Sequence, residues 1–447
     1  MNPVVSLFIL FMLCLAPFVR ADSLPPLNSA MTYQEVKTWH QQFLAGNPTV
    51  AERVNTMRSI VSISDYRQRG LNRIFGNFEG RHSLDPRIPG VEDSVLKVKS
   101  SSRSQAKGYV RELLYAKAFH NDPRFQLIAM NEIITRPWGN TDADIRFRYG
   151  RHGLYGRIEV KDVSPSSQST DRRRIKGQID KMAREYRHTG QLQAWANRRE
   201  VLPAIKEYAK QKGIPVFEKV STGQVSLKNG MTSATFLNEI ARQTAELQRL
   251  RAVQGGAQLG FGLWLLRDTA PAARSDLQML LDSNTRSDEV WRRFGEHGSF
   301  AAAGGAMSVS GAAFLGSQYA NQEWQGRLYR LGRFGGAASA LAFASGEAFM
   351  ISRYLNEDVS SREFWTSQWI LGGGAAGGYV GSWAGGILGS TTGTPLGTTA
   401  GAVVGSLAGS LVGGKASTYG AGSYYDWKFS ALDQRFSEFV YDHYGVH

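Results

Sequence analysis

The alternation of apolar and charged positions predicts short strands in the middle of the chain. In residues 158–163, Ile158, Val160 and Asp162 fall on one face of a strand, and Glu159 and Lys161 fall on the other. The helix, strand, strand, strand, helix, strand order of this region predicts a small α/β domain. The other predicted strands are 125–134, 145–148 and 214–217, and the predicted helices include 33–40, 203–212 and 237–253.

The last third of the chain has a different pattern, with glycine at every fourth position and no charged residue from Thr366 to Gly414. In a helix, this spacing places the glycines in one stripe that another helix can approach closely. The stripe consists of Gly373, Gly377, Gly381, Gly385, Gly389, Gly393, Gly397, Gly401, Gly405, Gly409 and Gly413.

This stripe predicts a two-helix membrane hairpin over residues 366–414, interrupted at Thr391–Pro395. Each helical glycine costs about 1 kcal/mol relative to alanine in water, whereas in a bilayer the backbone must form its hydrogen bonds internally. We expect membrane lipid as a partner. The stripe could also join two copies of the chain in a homo-oligomer. A soluble helical bundle and a flexible glycine-rich tail are the alternatives, although a tail needs no register.

Positive charge is concentrated in the predicted α/β domain. The chain carries a net charge of +14, and residues 146–212 contain 17 lysine and arginine residues against 7 aspartate and glutamate residues. Such a surplus favours a polyanion, through release of counterions and electrostatic steering. We expect Arg172, Arg173, Arg174 and Lys176 to contact nucleic acid. Anionic lipid headgroups are the alternative partner.

Two short motifs carry the candidate chemistry. Asp144 precedes a predicted strand, and Glu159 and Lys161 lie on the next one, so a hairpin would bring the three side chains together. Two carboxylates supply the oxygen ligands that a hard divalent cation prefers. A solvated strand face is the alternative interpretation of Glu159 and Lys161.

Residues 101–220 resemble the PD-(D/E)xK, or restriction-endonuclease-like, nuclease superfamily, although Ala143 stands where its motif usually has proline. The resemblance implies Asp144 and Glu159 as ligands of Mg²⁺ or Mn²⁺ and Lys161 as the catalytic lysine. It also implies a helical glutamate, matched by Glu112 as a further metal or water contact, and a downstream glutamine, matched by Gln178. The implied activity is endonucleolytic, with DNA favoured over RNA. An inactive domain of the same fold is the alternative.

The N-terminus predicts export. An apolar run from Val4 to Phe18 is followed by Ala21, which is typical of a cleaved signal peptide, with an anchor helix as the alternative. The only cysteine, Cys14, lies within that run, so the mature chain would contain no disulfide and no cysteine ligand. We expect a periplasmic or secreted protein with a membrane-associated C-terminal region.

Together these patterns predict an α+β multidomain protein, with a restriction-endonuclease-like domain of mixed sheet and helices ahead of a helical glycine-zipper domain. An exported nuclease toxin or effector, whose inhibitor protein the sequence does not identify, is the first hypothesis. A membrane-anchored or periplasmic nuclease acting on incoming nucleic acid is the second, and a non-enzymatic membrane-permeabilising or oligomerising protein is the third. The predicted segments are a signal peptide (1–21), a helical region (22–100), the nuclease-like domain (101–220), a connector (221–295), the glycine-rich membrane domain (296–422) and an aromatic tail (423–447).

Overall fold

The structure is a computed structural model, and it describes most of the chain between residues 24 and 424. The predicted signal peptide, Gly393 and nearly all of the aromatic tail lie outside the described residues. The described ranges are 24–62, 84–100, 103–150, 153–222, 229–282, 287–391 and 395–424.

The chain divides into two compact units. The first contains almost all residues up to Arg242 and combines helices with a sheet, and the second consists mainly of the residues from Gln243 onward and is helical. The elements of the first unit are α1 (Tyr33–Ala45), α2 (Val50–Ser62), α3 (Val91–Ser100), α4 (Arg103–Asn121), β1 (Phe125–Ile134), β2 (Thr141–Tyr149), β3 (Tyr155–Lys161), α5 (Pro165–Thr170), α6 (Arg172–Thr189), β4 (Leu192–Asn197), α7 (Pro203–Gln211), β5 (Val216–Phe217) and the start of α8 (Ser233–Leu281).

The five strands form one mixed sheet in the order β1-β2-β3-β4-β5. β1, β2 and β3 are antiparallel neighbours, whereas β4 and β5 join parallel to β3. The prediction of an α+β protein with a mixed sheet is therefore confirmed. The sequence pattern missed β4, because Gln191, Gln193 and Asn197 interrupt its apolar positions although all three are buried.

Aromatic and aliphatic side chains pack on the sheet. Phe119 of α4 stacks on Phe147 of β2 with ring centroids 5.0 Å apart, and Phe125 meets both rings edge-on. Gly156 of β3 is needed here, since a Cβ atom would collide with the Phe147 ring. A second cluster, which includes Ile179 of α6 and Trp195 of β4, places α6 against the sheet.

The second unit consists of long helices with glycine at their contacts. α8 and α9 pack antiparallel, since Gly262 meets Gly304 and Gly255 meets Gly311. α8 also packs against the last two helices, where Trp264 fills the space beside Gly374. The elements of this unit are the rest of α8, α9 (Asp288–Tyr319), α10 (Gln322–Leu355), α11 (Ser361–Ser390) and α12 (Pro395–Tyr424).

Candidate active site and glycine-zipper hairpin

β3 presents Glu159 and Lys161 to the same side, because side chains two residues apart share one face of a strand. The Lys161 ammonium forms an ion pair with the Glu159 carboxylate and lies 3.4 Å from Oδ2 of Asp144. Burial lowers the pKa of Lys161, but Asp144 and Glu159 together raise it well above its ordinary range. Lys161 is therefore a fixed positive charge between two carboxylates.

Asp144 is held against β3 by the pairing of the strands. Ile145 of β2 pairs with Ile158 of β3, and the backbone N–H of Val160 donates to Oδ2 of Asp144 at 2.6 Å. This carboxylate is only 5% exposed. The predicted β2–β3 hairpin therefore brings Asp144, Glu159 and Lys161 together.

Glu112 reaches the same place from α4. Its pKa is raised to about 7, first by burial and then by the nearby Asp144 carboxylate. Asn131 of β1 donates a hydrogen bond to Glu112 Oε2 at 3.1 Å, which partly offsets this rise. A buried acid whose pKa is raised by a neighbouring carboxylate marks a concentration of negative charge.

Gln178 completes the predicted set. Its amide Nε2 donates to Oε1 of Glu159 at 3.4 Å, across the contact between α6 and the sheet. Further along α6, the buried Glu185 forms ion pairs with Arg157 of β3 at 3.0 Å and with Arg136 at 2.6 Å. These ion pairs hold α6 on the sheet and thereby position Gln178 beside the carboxylates.

The carboxylate side chains at this site are of the chemical type that binds a hard divalent cation. Glu112, Asp144 and Glu159 offer carboxylate oxygens, which Mg²⁺ and Mn²⁺ prefer. The raised pKa of Glu112 indicates excess negative charge that a bound cation would relieve. Within the described ranges, however, no three Asp, Glu, His or Cys side chains are already arranged as a metal site. Lys161 instead neutralises Asp144 and Glu159 directly.

Sequence reasoning missed two polar residues behind Glu112. Asn131 has a left-handed backbone with φ of +48°, and its side-chain amide donates to both Glu112 and the Ser94 hydroxyl, the latter at 2.8 Å. Ser94 in turn donates to the Gly90 carbonyl at 2.6 Å. The sequence feature that could have revealed Asn131 is its position inside the apolar run of β1. Asparagine tolerates a left-handed backbone better than most residues, so it can mark such a position.

α3, which carries Ser94, is docked closely on β1. The Met130 N–H donates to the Pro89 carbonyl at 2.8 Å. At Gly90, with φ of +85°, a Cβ atom would collide with the Met130 carbonyl. The region before residue 101, for which the sequence suggested no chemistry, therefore helps to position Glu112.

The basic cluster lies at the start of α6. Arg172, Arg173 and Arg174 are exposed in its first turn, and Arg174 forms an ion pair with Asp171 at 2.9 Å. Lys176 lies 4.5 Å from the centroid of the Tyr208 ring. The positive end of the helix dipole and the exposed arginines together give this end of α6 a local positive charge.

The glycine stripe forms the contact between α11 and α12, which pack antiparallel. A Cβ atom on any of these paired glycines other than Gly397 would overlap the backbone of the opposite helix, and at Gly373 it would also overlap the Ser417 hydroxyl. Each glycine therefore allows backbone-to-backbone contact. The facing pairs are Gly373 with Gly413, Gly377 with Gly409, Gly381 with Gly405, Gly385 with Gly401 and Gly389 with Gly397.

The stripe is thus occupied within one chain, and self-association through it would require the hairpin to open. Among the described residues, three helices are long and apolar enough to cross a membrane: Asp288–Tyr319, Gln322–Leu355 and Leu396–Ala421. The second half of the predicted hairpin is among them. Its first half, α11, does not reach the same apolar character in the described chain.

Known proteins give no independent guide to these two sites. No protein-family model, no curated protein and no solved structure matches the chain. What the protein does is therefore inferred from its own residues.

Proposed function

We propose that the protein is a metal-dependent phosphodiesterase, an endonuclease that acts on nucleic acid. The observation that carries this proposal is the convergence of five residues from four separate elements. Glu112, Asp144, Glu159, Lys161 and Gln178 are distant in sequence but meet through the contacts described above. A group of ion pairs that only stabilised the fold would not require three acids, one lysine and one amide at the same place.

Asp144 and Glu159 would hold Mg²⁺ or Mn²⁺, with Glu112 as a third oxygen donor. Such an ion, when bound, lowers the pKa of a coordinated water and offsets charge on the phosphate. Lys161 keeps its proton because of its carboxylate neighbours, so its role is to stabilise negative charge on the phosphate or to orient the attacking water. Gln178 fixes the orientation of Glu159 and is placed to donate to the substrate.

Arg172, Arg173, Arg174 and Lys176 would hold the phosphate backbone. Because phosphate contacts carry little sequence information, we expect low sequence specificity. DNA is favoured over RNA only because most of the resembled superfamily cleaves DNA. Export and a membrane-associated helical unit favour a secreted toxin or effector, whose producer would need an inhibitor protein, over a nuclease that acts on incoming nucleic acid.

The test is a cleavage assay with the full-length protein in mild detergent, on supercoiled DNA and on structured RNA, with Mg²⁺, Mn²⁺ or a chelator. We expect metal-dependent cleavage that Asp144→Asn and Lys161→Met each reduce by about 100-fold or more. Lys210→Met, an exposed lysine of α7, is the matched control and should cleave normally. Cleavage that persists in both active-site variants would refute the assignment.

A non-enzymatic membrane function is the second candidate, favoured by the three helices that could cross a bilayer. In that case the protein would permeabilise vesicles, and Lys161→Met would permeabilise them as well as the unmodified chain does. Dye release that is unaffected by this variant, together with no cleavage of either nucleic acid by the folded protein, would favour the membrane function.

A further inference from the structure

The five helices of the second unit all have a charge-free middle. Charged residues lie on both sides of these middle segments, so the bundle has two charged ends and one uncharged band between them. The uncharged segments are 252–266 in α8, 298–319 in α9, 334–346 in α10, 364–390 in α11 and 395–414 in α12.

The antiparallel packing brings these charged ends together. At one end, Arg292 of α9 pairs with Asp358 at 2.6 Å, and Arg353 of α10 pairs with Glu296 at 2.5 Å. Asp276 of α8 is buried at the same end, where it contacts Arg293 and His297. The charged groups therefore satisfy one another at the end of the bundle, outside the uncharged band.

Exposed aromatic side chains flank the uncharged band. Trp365 and Trp369 lie near the start of α11, and Trp383 lies near its end. Trp383 is separated from them by 18 and 14 residues, which corresponds to about 27 and 21 Å along a helix. These spacings approach the hydrocarbon core of a bilayer, which is about 30 Å thick. Tyr419 of α12 lies at the first of these levels, since Gly413 faces Gly373.

Between the two aromatic levels, the bundle exposes large apolar side chains. Leu341 of α10 is 73% exposed, Val380 of α11 is 65% exposed, and Val412 of α12 is 67% exposed. Large exposed apolar patches mark sites of interaction with proteins or membranes. Tryptophan and tyrosine at both borders of an apolar band are typical of lipid headgroup regions.

We propose that a lipid bilayer surrounds all five helices, with its headgroups at the level of Trp365 and Trp369 on one side and of Trp383 on the other. This inference deepens the membrane association in the proposed function and is independent of the nuclease site. It differs from insertion of the α11–α12 hairpin alone, since it places α8, α9 and α10 in the bilayer too. α8 and α11, which are not among the three helices apolar enough to cross by themselves, cross because neighbouring helices cover their glycines, apart from Gly372.

The test uses single cysteines in the full-length chain with Cys14→Ser, reconstituted in phosphatidylcholine vesicles and labelled with a nitroxide. Collision with oxygen reports lipid, and collision with a water-soluble nickel chelate reports water. Leu341→Cys, Val380→Cys and Val412→Cys should favour oxygen several-fold over Leu355→Cys and Ser390→Cys, which lie at the two ends. Ile133→Cys on β1, 70% exposed, is the aqueous control, and circular dichroism confirms that each variant folds.

Three results would overturn the proposal. A lipid signal at Val412 with an aqueous signal at Leu341 would mean that only the hairpin inserts. Aqueous signals at both positions would mean that the bundle is soluble. Low collision with both reagents, together with dipolar broadening between labels, would mean that a second copy of the chain covers this face. Because the readout does not involve cleavage, none of these results depends on nuclease activity.

Discussion

At the scale of single residues, the candidate site depends on groups that touch the carboxylates and also on groups behind them. Asn131 joins Ser94 of α3 to Glu112 of α4 through one side-chain amide, in a left-handed backbone conformation. Its two functions can be separated, because glycine accepts this backbone and lacks the amide, whereas alanine lacks the amide and also strains the backbone.

Both Asn131→Gly and Asn131→Ala should lower nuclease activity by about tenfold, since a hydrogen bond to a charged group contributes about 1.5–3 kcal/mol. The alanine variant should in addition unfold at a lower urea concentration, by roughly 1 kcal/mol of stability. Asn47→Gly, at another left-handed asparagine, should leave cleavage unchanged. Full activity of Asn131→Gly would show that the amide does not position Glu112.

The Glu92 carboxylate, two residues before Ser94, should make the stability of the α3 region depend on pH. Burial raises the pKa of Glu92, but contacts with His40 and Arg53 lower it further, so the net pKa lies below the ordinary 4.5. Ionised Glu92 therefore stabilises the folded state above pH 4.5, and this stabilisation is lost as pH falls through the folded pKa. Arg53 forms two hydrogen bonds of 2.8 Å with this carboxylate.

We expect Glu92→Gln to destabilise the protein at pH 7 and to lose most of that effect near pH 3, as measured by urea unfolding at both values. Asp93→Asn, a change on the same helix whose partner Lys97 lies on the surface, should have a smaller effect at pH 7. A destabilisation by Glu92→Gln that is equal at both values of pH would exclude an ionic role.

At the scale of elements, some helix and strand contacts were predictable because each depends on a single physical rule. Alternation placed Glu159 and Lys161 together, and the four-residue glycine period gave the α11–α12 contact. β4 was not predictable in this way, because the hydrogen bonds that satisfy Asn197, such as that from Val163 N–H at 3.0 Å, come from other elements. The role of Asn131 was hidden for the same reason, since its partners belong to α3 and α4.

The glycines of α11 offer a direct test of the hairpin contact. Gly381→Ala should destabilise the helical unit by about 1–3 kcal/mol, the usual cost of overpacking, because its Cβ would overlap the Gly405 carbonyl. Gly372→Ala, on the same helix with no atom near the added Cβ, should be neutral or stabilising. Thermal unfolding of both variants in detergent distinguishes them, and equal melting temperatures would argue against the close contact.

At the scale of the whole molecule, charge and apolar surface are separated between the two units. The sheet-containing unit carries the basic residues around its carboxylate site, and the helical unit carries the uncharged band. Sequence patterns predicted both properties, since net charge and glycine period require no tertiary contacts. They did not show that the helices before residue 101 belong with the sheet, because the docking of Gly90 on Met130 depends on backbone atoms of distant residues.

Nucleic-acid binding by the intact protein should depend on salt through the first turn of α6. In the Asp144→Asn background, which prevents cleavage, Arg172→Gln with Arg173→Gln should weaken DNA binding for all sequences. It should also reduce the slope of log affinity against log salt by about 1–2. Arg242→Gln, whose partner Glu239 lies on the same exposed helix face, is the control. An unchanged slope in the double variant would place the DNA elsewhere, as fluorescence anisotropy would show.

The uniform spacing of the glycine pairs has a consequence for the register of the hairpin. If α12 slid along α11 by one repeat, glycine would again face glycine, so the stripe permits several alignments of nearly equal quality. Contacts with α8 distinguish one alignment from the others. Ser382 of α11 and Ser406 of α12 donate to the carbonyls of Val253 and Ala257, which are one turn apart on α8. The hydrogen bonds from these two hydroxyl groups to α8 therefore favour one alignment of α11 and α12 among those that the glycines allow.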